Sequence, residues 1–125
     1  MFFLSGSKGI SWHDRGDLAT PDYESAALTK DSAWHNMDIS AIVGKGQKLV
    51  LIRGYLNDNA GGKKGQLRTK GNTYDYNVAR CATQVANKTC ESNLWVYTDA
   101  NGIIQYYFDT ATWNAINLNI RGWFA

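Results

Sequence analysis

The side chains best suited to acid–base or metal chemistry are few in this sequence and widely separated. His13 and His35 each follow a tryptophan, and neither belongs to a His-x-His or metalloprotease pattern. The two glutamates, Glu24 and Glu91, offer little material for the carboxylate pair of a glycosidase, even with Asp14 available. A nucleophile elbow and a phosphate-binding loop are also absent from the sequence. We therefore expect a protein that is not an enzyme, with no catalytic residues, metal site or cofactor.

Three short motifs have both a functional and a plain interpretation. Residues 57–59, Asn-Asp-Asn before two glycines, offer oxygen ligands for Ca²⁺ but lack the register of an EF-hand loop. Residues 15–17 spell Arg-Gly-Asp, the tripeptide of integrin ligands, and residues 87–89 form a glycosylation sequon. The sequence favours the plain interpretation of each motif: a flexible loop, a turn at the glycine, and an unmodified segment.

Cys81 and Cys90 are nine positions apart, which leaves two interpretations open. They either close a small disulfide loop or remain as two buried thiols. Two cysteines in 125 residues do not form a disulfide scaffold, so the sequence favours reduced thiols.

Aromatic side chains are the strongest indication of a binding function. The five tryptophans are too many for one small core to bury completely: Trp12, Trp34, Trp95, Trp113 and Trp123. Flat aromatic rings on a β-surface stack on sugars, whereas aromatic rings at a subunit contact anchor the interface. The sequence leaves both alternatives open.

The composition predicts one all-β domain. Hydrophobic residues make up 44% and charged residues 19% of the 125 residues, which is typical of a globular protein that buries about two thirds of its unfolded surface. Asn, Gly and Thr favour turns, and Trp, Tyr, Val and Ile favour strands. The formal net charge of +2 is too small to indicate a nucleic-acid partner, and no apolar run is long enough to span a membrane.

Turn signals and apolar runs predict about eight strands in a single antiparallel β-sandwich, jelly-roll-like, over residues 11–125. The apolar run at 49–56 is typical of a strand covered on both faces, and residues 115–122 alternate with period 2. We further predict an edge strand at 25–29, a mobile loop at 57–65 and an alternating segment at 74–85. Asn101-Gly102 within residues 99–102 indicates a hairpin turn.

The N-terminal residues 1–10 are expected to form a docking arm. Four apolar residues begin the chain, too few for the hydrophobic region of a secretion signal, and we expect them to pack against another chain. The candidate interface residues are Met1, Phe2, Phe3, Leu4, Trp12 and Tyr23.

Several segments spread over residues 12–125 carry a recurring pattern: 34–46, 49–53 followed by Asn57-Asp58, 68–72 followed by Asn77, 83–87, 99–106, 112–116 and 122–124. Together they resemble small or C-terminal β-sandwich domains of tailed-phage and environmental virus structural proteins. Leu67 stands where an aromatic residue is usual, and Lys63-Lys64 is an addition. The family pattern contains no catalytic residues, so none are carried over.

The resemblance implies a non-enzymatic virion structural protein of a bacteriophage. A capsid decoration protein is the first expectation, because the domain fills nearly the whole chain, and a tail or fibre component is a close variant. The alternative is a carbohydrate-binding β-sandwich module. The expected partners are capsid or other virion proteins and further copies of the chain, with a trimer favoured. A glycan is a possible partner, whereas nucleic acid and membrane are not. The expected location is the virion, assembled in the host cytoplasm.

Overall fold

Alternation of apolar and polar side chains builds most of the strands of this protein. The computed structural model describes residues 9–125, and the strands in that range are β1 (Trp12–Asp14), β2 (Tyr23–Glu24), β3 (His35–Asp38), β4 (Leu49–Asp58), β5 (Lys64–Thr69), β6 (Ala79–Ala82), β7 (Cys90–Tyr97), β8 (Ile103–Phe108) and β9 (Trp113–Phe124). The connections contain a four-residue helix, α1 (Ser40–Val43), and two 3-10 turns, Ser25–Ala27 and Asp75–Asn77.

The strands form two antiparallel sheets. Sheet A has the order β1-β9-β4-β7, with β2 also paired to β9, and sheet B has the order β3-β8-β5-β6. The predicted all-β sandwich is therefore confirmed, with nine strands among the described residues where about eight were expected.

The pairing of the strands is nested. β1 pairs with β9, β3 with β8, β4 with β7, and β5 with β6, as in one long hairpin that has been rolled up. A jelly roll requires this kind of nesting, so the sheet order is compatible with the predicted jelly-roll topology.

The core lies between the two sheets. Its largest fully buried hydrophobic side chains are Phe108, Ile39, Ile52, Leu56, Leu67, Ile104, Ile116, Ile120 and Val50. In β9 the buried positions alternate with less buried ones, which confirms the period-2 strand predicted for 115–122. Burial of a side chain of this size contributes roughly 1.5–3 kcal/mol, so these residues dominate the stability of the sandwich.

The outer face of β4 is only partly covered. Val50, Ile52 and Leu56 point into the core, whereas the alternate residues Leu49 and Leu51 are half-buried on the outside of sheet A. The sequence predicts a strand covered on both faces, but among the described residues no second layer lies over this face. The uncovered apolar side chains belong to the candidate site below.

Two predicted strand segments are wrong. Residues 25–27 form a 3-10 turn, closed by a hydrogen bond from the Leu28 N–H to the Ser25 carbonyl, instead of an edge strand at 25–29. A second 3-10 turn interrupts the alternation predicted for 74–85, so that only Ala79–Ala82 forms a strand. In both segments a local turn satisfies backbone groups that a strand would have left for a neighbour.

The turn at 99–102 is present, but it does not close a hairpin. Gly102 has a φ of 79°, and its N–H donates to the Asp99 carbonyl. However, β7 belongs to sheet A and β8 to sheet B, so the turn carries the chain from one sheet to the other. A turn signal specifies the bend and leaves open whether the flanking strands pair.

The glycine-rich connection at 57–65 is anchored to residues 83–87, in place of the free, mobile loop that the sequence predicts. The Gly62 N–H donates to the Thr83 carbonyl at 2.6 Å, and the Asn87 N–H donates to the Asp58 carbonyl at 2.8 Å. The buried Thr83 hydroxyl also donates to the Ala60 carbonyl and accepts from the Lys63 N–H. Each such intramolecular hydrogen bond is worth about 1 kcal/mol.

Candidate functional site

The outer face of sheet A carries a group of exposed aromatic side chains. The strand register aligns four apolar residues in one row across this face: Trp12, Phe124, Leu49 and Tyr97. Leu51 and Trp95 lie beside each other in the next row. We call these six residues the aromatic patch. Trp12, Trp95 and Tyr97 are 38%, 47% and 45% exposed, which is unusual for rings of this size.

Three rings of the aromatic patch contact one another. Trp12 meets Phe124 with a centroid distance of 5.2 Å and an interplanar angle of 61°, and it meets Trp95 at 6.2 Å and 65°. Trp95 and Phe124 lie closer to parallel, at 6.1 Å and 21°. Edge-to-face contacts of this kind contribute about 0.5–1.5 kcal/mol each, so the rings hold one another in place before any partner binds.

Gly122 provides the space that Trp12 occupies. A Cβ atom at this position would come within 2.5 Å of the His13 carbonyl oxygen and closer still to the Trp12 ring. Asp14 pairs with Gly122 in the register and accepts a 3.4 Å hydrogen bond from the Trp12 indole N–H. The position of β1 on β9 therefore depends on a residue without a side chain.

A charged border adjoins the aromatic patch on the same face. Arg53 forms an ion pair with Glu91, and Arg121 donates to the Asn93 side chain at 3.1 Å. The Arg53 guanidinium also lies over the Tyr55 ring. Exposed pairs of this kind add little stability, but arginines and aromatic residues are enriched at protein interfaces.

Of the six predicted interface residues, Trp12 and Tyr23 fall within the part of the chain that the structure describes. Met1, Phe2, Phe3 and Leu4 lie outside the described residues, as does most of the predicted docking arm. The described chain begins beside the aromatic patch, where Ile10 lines a hollow with Tyr97 and Phe124.

Trp12 and Tyr23 lie on opposite faces of sheet A. Trp12 is part of the aromatic patch, whereas Tyr23 pairs with the buried Leu118 and packs against the core. This burial raises the pKa of the Tyr23 phenol above its ordinary value, and the charges of Asp22 and Asp38 add to the effect. The structure thus places only Trp12 in the candidate site. The roles of both residues at an interface remain predictions.

A second group of exposed aromatic residues lies in the 70–78 connection. Tyr74 and Tyr76 are 80% and 101% exposed, and both line a shallow pocket with Asn72 and Asn77. The side chains of these four residues make no hydrogen bond to any other described residue. The alternation of side chains over residues 74–85 predicted a strand here, so this loop was not expected. The Gly-Asn-Thr-Tyr-Asp-Tyr-Asn composition, typical of recognition loops, was the available signal.

The residues considered for catalysis have local partners. His13 stacks on Trp123 at 5.5 Å, and His35 contacts the Asp31 carboxylate at 2.8 Å. The hydrogen bond with His35 lowers the pKa of Asp31. Within residues 9–125 no three His, Cys, Asp or Glu side chains are placed to hold one metal ion. The absence of enzymatic activity stays a prediction.

The calcium interpretation of residues 57–59 has no geometric support. The Asn57 side chain accepts from Asn114 on the outer face, whereas Asp58 is buried on the inner face of the same strand. One Asp58 oxygen accepts from the Ala60 N–H, and the other has no partner among the described residues. These two side chains do not converge on a common ion position.

No family model and no curated protein sequence matches this chain. Among the helices of the described region, none has the length and apolar character needed to cross a membrane.

Proposed function

We propose that the protein is a non-enzymatic virion structural protein, of the capsid decoration type, which docks on a capsid subunit through the aromatic patch. A tail or fibre component is the close variant of this role. The sequence resemblance described above supports the viral role, and the exposed rings of sheet A support the docking surface. The solvent exposure of Trp12, Trp95 and Tyr97 on the outer face of sheet A is the single observation that carries the proposal.

The shape of the aromatic patch favours a protein partner over a sugar. Trp12 stands at more than 60° to both neighbouring rings, so the three rings together do not form one flat surface on which a saccharide chain could stack. Leu49 and Leu51 add aliphatic surface, and the Arg53–Glu91 pair borders it. An apolar centre with a polar rim is the usual anatomy of a protein interface.

The size of the aromatic patch favours a capsid lattice over an isolated pair of copies. The three exposed rings offer about 300 Å², since a Trp or Tyr side chain buries 150–250 Å² in full. A stable interface buries roughly 800 Å² on each partner. These three rings alone are therefore too small for a lasting dimer. A capsid that binds several copies around one symmetry axis adds further contacts, and these contacts supply the rest of the area that a stable interface needs.

Mass spectrometry of purified particles tests the virion role. Particles released by the virus that encodes the chain are separated on a density gradient, and the protein is quantified relative to the major capsid protein in each fraction. A constant ratio across the particle peak, retained after a high-salt wash, is expected. Presence in the cell lysate with absence from the particle peak would contradict the proposal.

Carbohydrate binding is the second candidate function, and the 70–78 connection is the observation that favours it. Two exposed tyrosine rings line one pocket with the side-chain amides of Asn72 and Asn77, which have no hydrogen-bond partner among the described residues. Aromatic faces with amide donors and acceptors match the apolar and hydroxyl faces of a neutral sugar.

The double substitution Tyr74→Ala and Tyr76→Ala is expected to weaken any such binding about tenfold or more, because two ring contacts are lost. Titration calorimetry with a set of neutral oligosaccharides measures the effect, with Trp95→Ala as the matched control on the other surface. Both rings are exposed, so the melting temperature should stay unchanged. If no oligosaccharide binds the unsubstituted protein, or the double variant binds equally well, the carbohydrate alternative is wrong.

A further inference from the structure

The two cysteines face each other across the open side of the sandwich. Cys81 lies in β6, the edge strand of sheet B, and Cys90 begins β7, the edge strand of sheet A. Both are free thiols, and their Sγ atoms are 3.2 Å apart. A covalent bond between them would add to the packing, the chain connections and the side-chain hydrogen bonds, such as that from the Thr69 hydroxyl to the Tyr97 carbonyl, that join the two sheets in the described residues.

We propose that Cys81 and Cys90 are a modification site, at which a reversible disulfide links sheet A to sheet B under oxidising conditions. The two sulfurs are already in contact, so only a shift of about 1 Å separates them from bonding distance. The proposal is independent of the docking function, because neither cysteine belongs to the aromatic patch.

The two thiols differ in access, which sets the order of the steps. Cys81 is 4% exposed and accepts a hydrogen bond from the Ser92 hydroxyl at 3.3 Å, whereas Cys90 is partly exposed. An oxidant such as a low-molecular-weight disulfide therefore reaches Cys90 first. Cys81 then acts as the resolving thiol, shielded from the external reagent and in contact with Cys90.

The reaction balances as two thiol–disulfide exchanges. The Cys90 thiolate attacks one sulfur of oxidised glutathione, a mixed disulfide forms, and the first glutathione leaves as a thiolate that takes up the proton lost by Cys90. The Cys81 thiolate then attacks the Cys90 sulfur, and the second glutathione leaves and takes up the proton lost by Cys81. Two electrons pass from the protein sulfurs to glutathione, which gives one protein disulfide and two molecules of reduced glutathione.

Burial makes the second exchange dependent on pH. It raises the pKa of the Cys81 thiol to about 11, and contact with Cys90 adds to the effect, while the Ser92 hydrogen bond opposes it. Among the described residues, Cys90 is the titratable group that shifts the pKa of Cys81, and no charged side chain contributes to this shift. Burial is the largest of these effects and persists when Cys90 carries glutathione, so the pKa of Cys81 stays raised in the mixed disulfide. The thiolate fraction of Cys81 therefore rises about tenfold per pH unit between pH 7 and 9, and ring closure should accelerate with it.

Oxidation of the purified full-length chain by glutathione disulfide tests the proposal. The expected product has lost two hydrogens, carries no glutathione and resists alkylation at both cysteines. Its melting temperature should rise by roughly 5–10 °C, because the cross-link restricts the unfolded chain, and dithiothreitol should reverse the rise. The variant Cys81→Ser should instead retain one glutathione on Cys90, since the resolving thiol is gone.

Three results would overturn the proposal. These are a stable glutathione adduct on the unsubstituted protein, a disulfide-linked dimer, or a disulfide that closes only after the protein has been unfolded by urea. The last result is measured by the same alkylation assay with and without denaturant, so it separates closure in the folded sandwich from closure in the unfolded chain.

Discussion

Replacement of Trp95 by alanine is expected to weaken docking on the capsid about thirtyfold or more while the sandwich stays folded. A central aromatic residue at an interface contributes 2 kcal/mol or more, which corresponds to this factor. Trp95 is 47% exposed, and its ring packs on Trp12 and Phe124 on the outer face of sheet A, so its loss leaves the core intact. The amount of protein on reconstituted particles, measured over a concentration series, gives the change in affinity.

Trp34→Ala is the matched control for this experiment. Trp34 is a half-buried tryptophan on the opposite side of the sandwich, where its ring contacts Tyr107. The guanidinium carbon of Arg68 lies 4.0 Å from the centroid of the Trp34 ring. The control variant should bind particles like the unsubstituted protein. Equal losses in the two variants would indicate a general effect of tryptophan removal, and unchanged binding of the Trp95→Ala variant would contradict a role of the aromatic patch.

The substitution Gly122→Ala is expected to detach β1 and displace Trp12 without removing an aromatic residue. The new methyl group would overlap the Trp12 ring and the His13 carbonyl oxygen, and the second of these is backbone that cannot move alone. Overpacking of this kind costs about 1–3 kcal/mol of unfolding free energy. Urea denaturation measures that cost, and the particle-binding assay should show a loss close to that of Trp12→Ala.

Gly54→Ala is the control for the glycine substitution. Gly54 lies in β4, next to β9, and a Cβ atom there would meet its nearest neighbour, Leu94, at an ordinary 3.5 Å. This variant should be as stable as the unsubstituted protein or more stable by up to about 1 kcal/mol, because alanine restricts the unfolded chain. A Gly122→Ala variant that behaves like Gly54→Ala would show that Trp12 is not fixed by Gly122.

Strands whose side-chain pattern is complete within one segment were predictable from sequence. β9 and the buried face of β4 follow from alternation and from apolar content, which depend on neighbouring residues alone. The segments at 25–29 and 74–85 were not predictable, because short 3-10 turns compete with strands of similar composition. The strand that pairs with β7 was also not predictable, because the turn at 99–102 has the residues of a hairpin turn but connects two different sheets.

The candidate site was predictable in its residue types and not in its position. An excess of tryptophan indicated a binding surface, and Trp12 was among the residues named for it. The aromatic patch, however, is assembled from β1, β4, β7 and β9, which are far apart in the sequence. Only the register between these strands brings Trp12, Trp95 and Phe124 together, and register depends on long-range pairing that local patterns do not contain.

A structure of the assembled particle by electron cryo-microscopy tests the docking surface most directly. We expect that Trp12, Trp95 and Tyr97 lose their solvent exposure against a capsid subunit, with the Arg53–Glu91 pair at the rim of the contact. If sheet A faces solvent in the particle and the chain contacts its neighbours through sheet B or the 70–78 connection, the aromatic patch is not the docking surface.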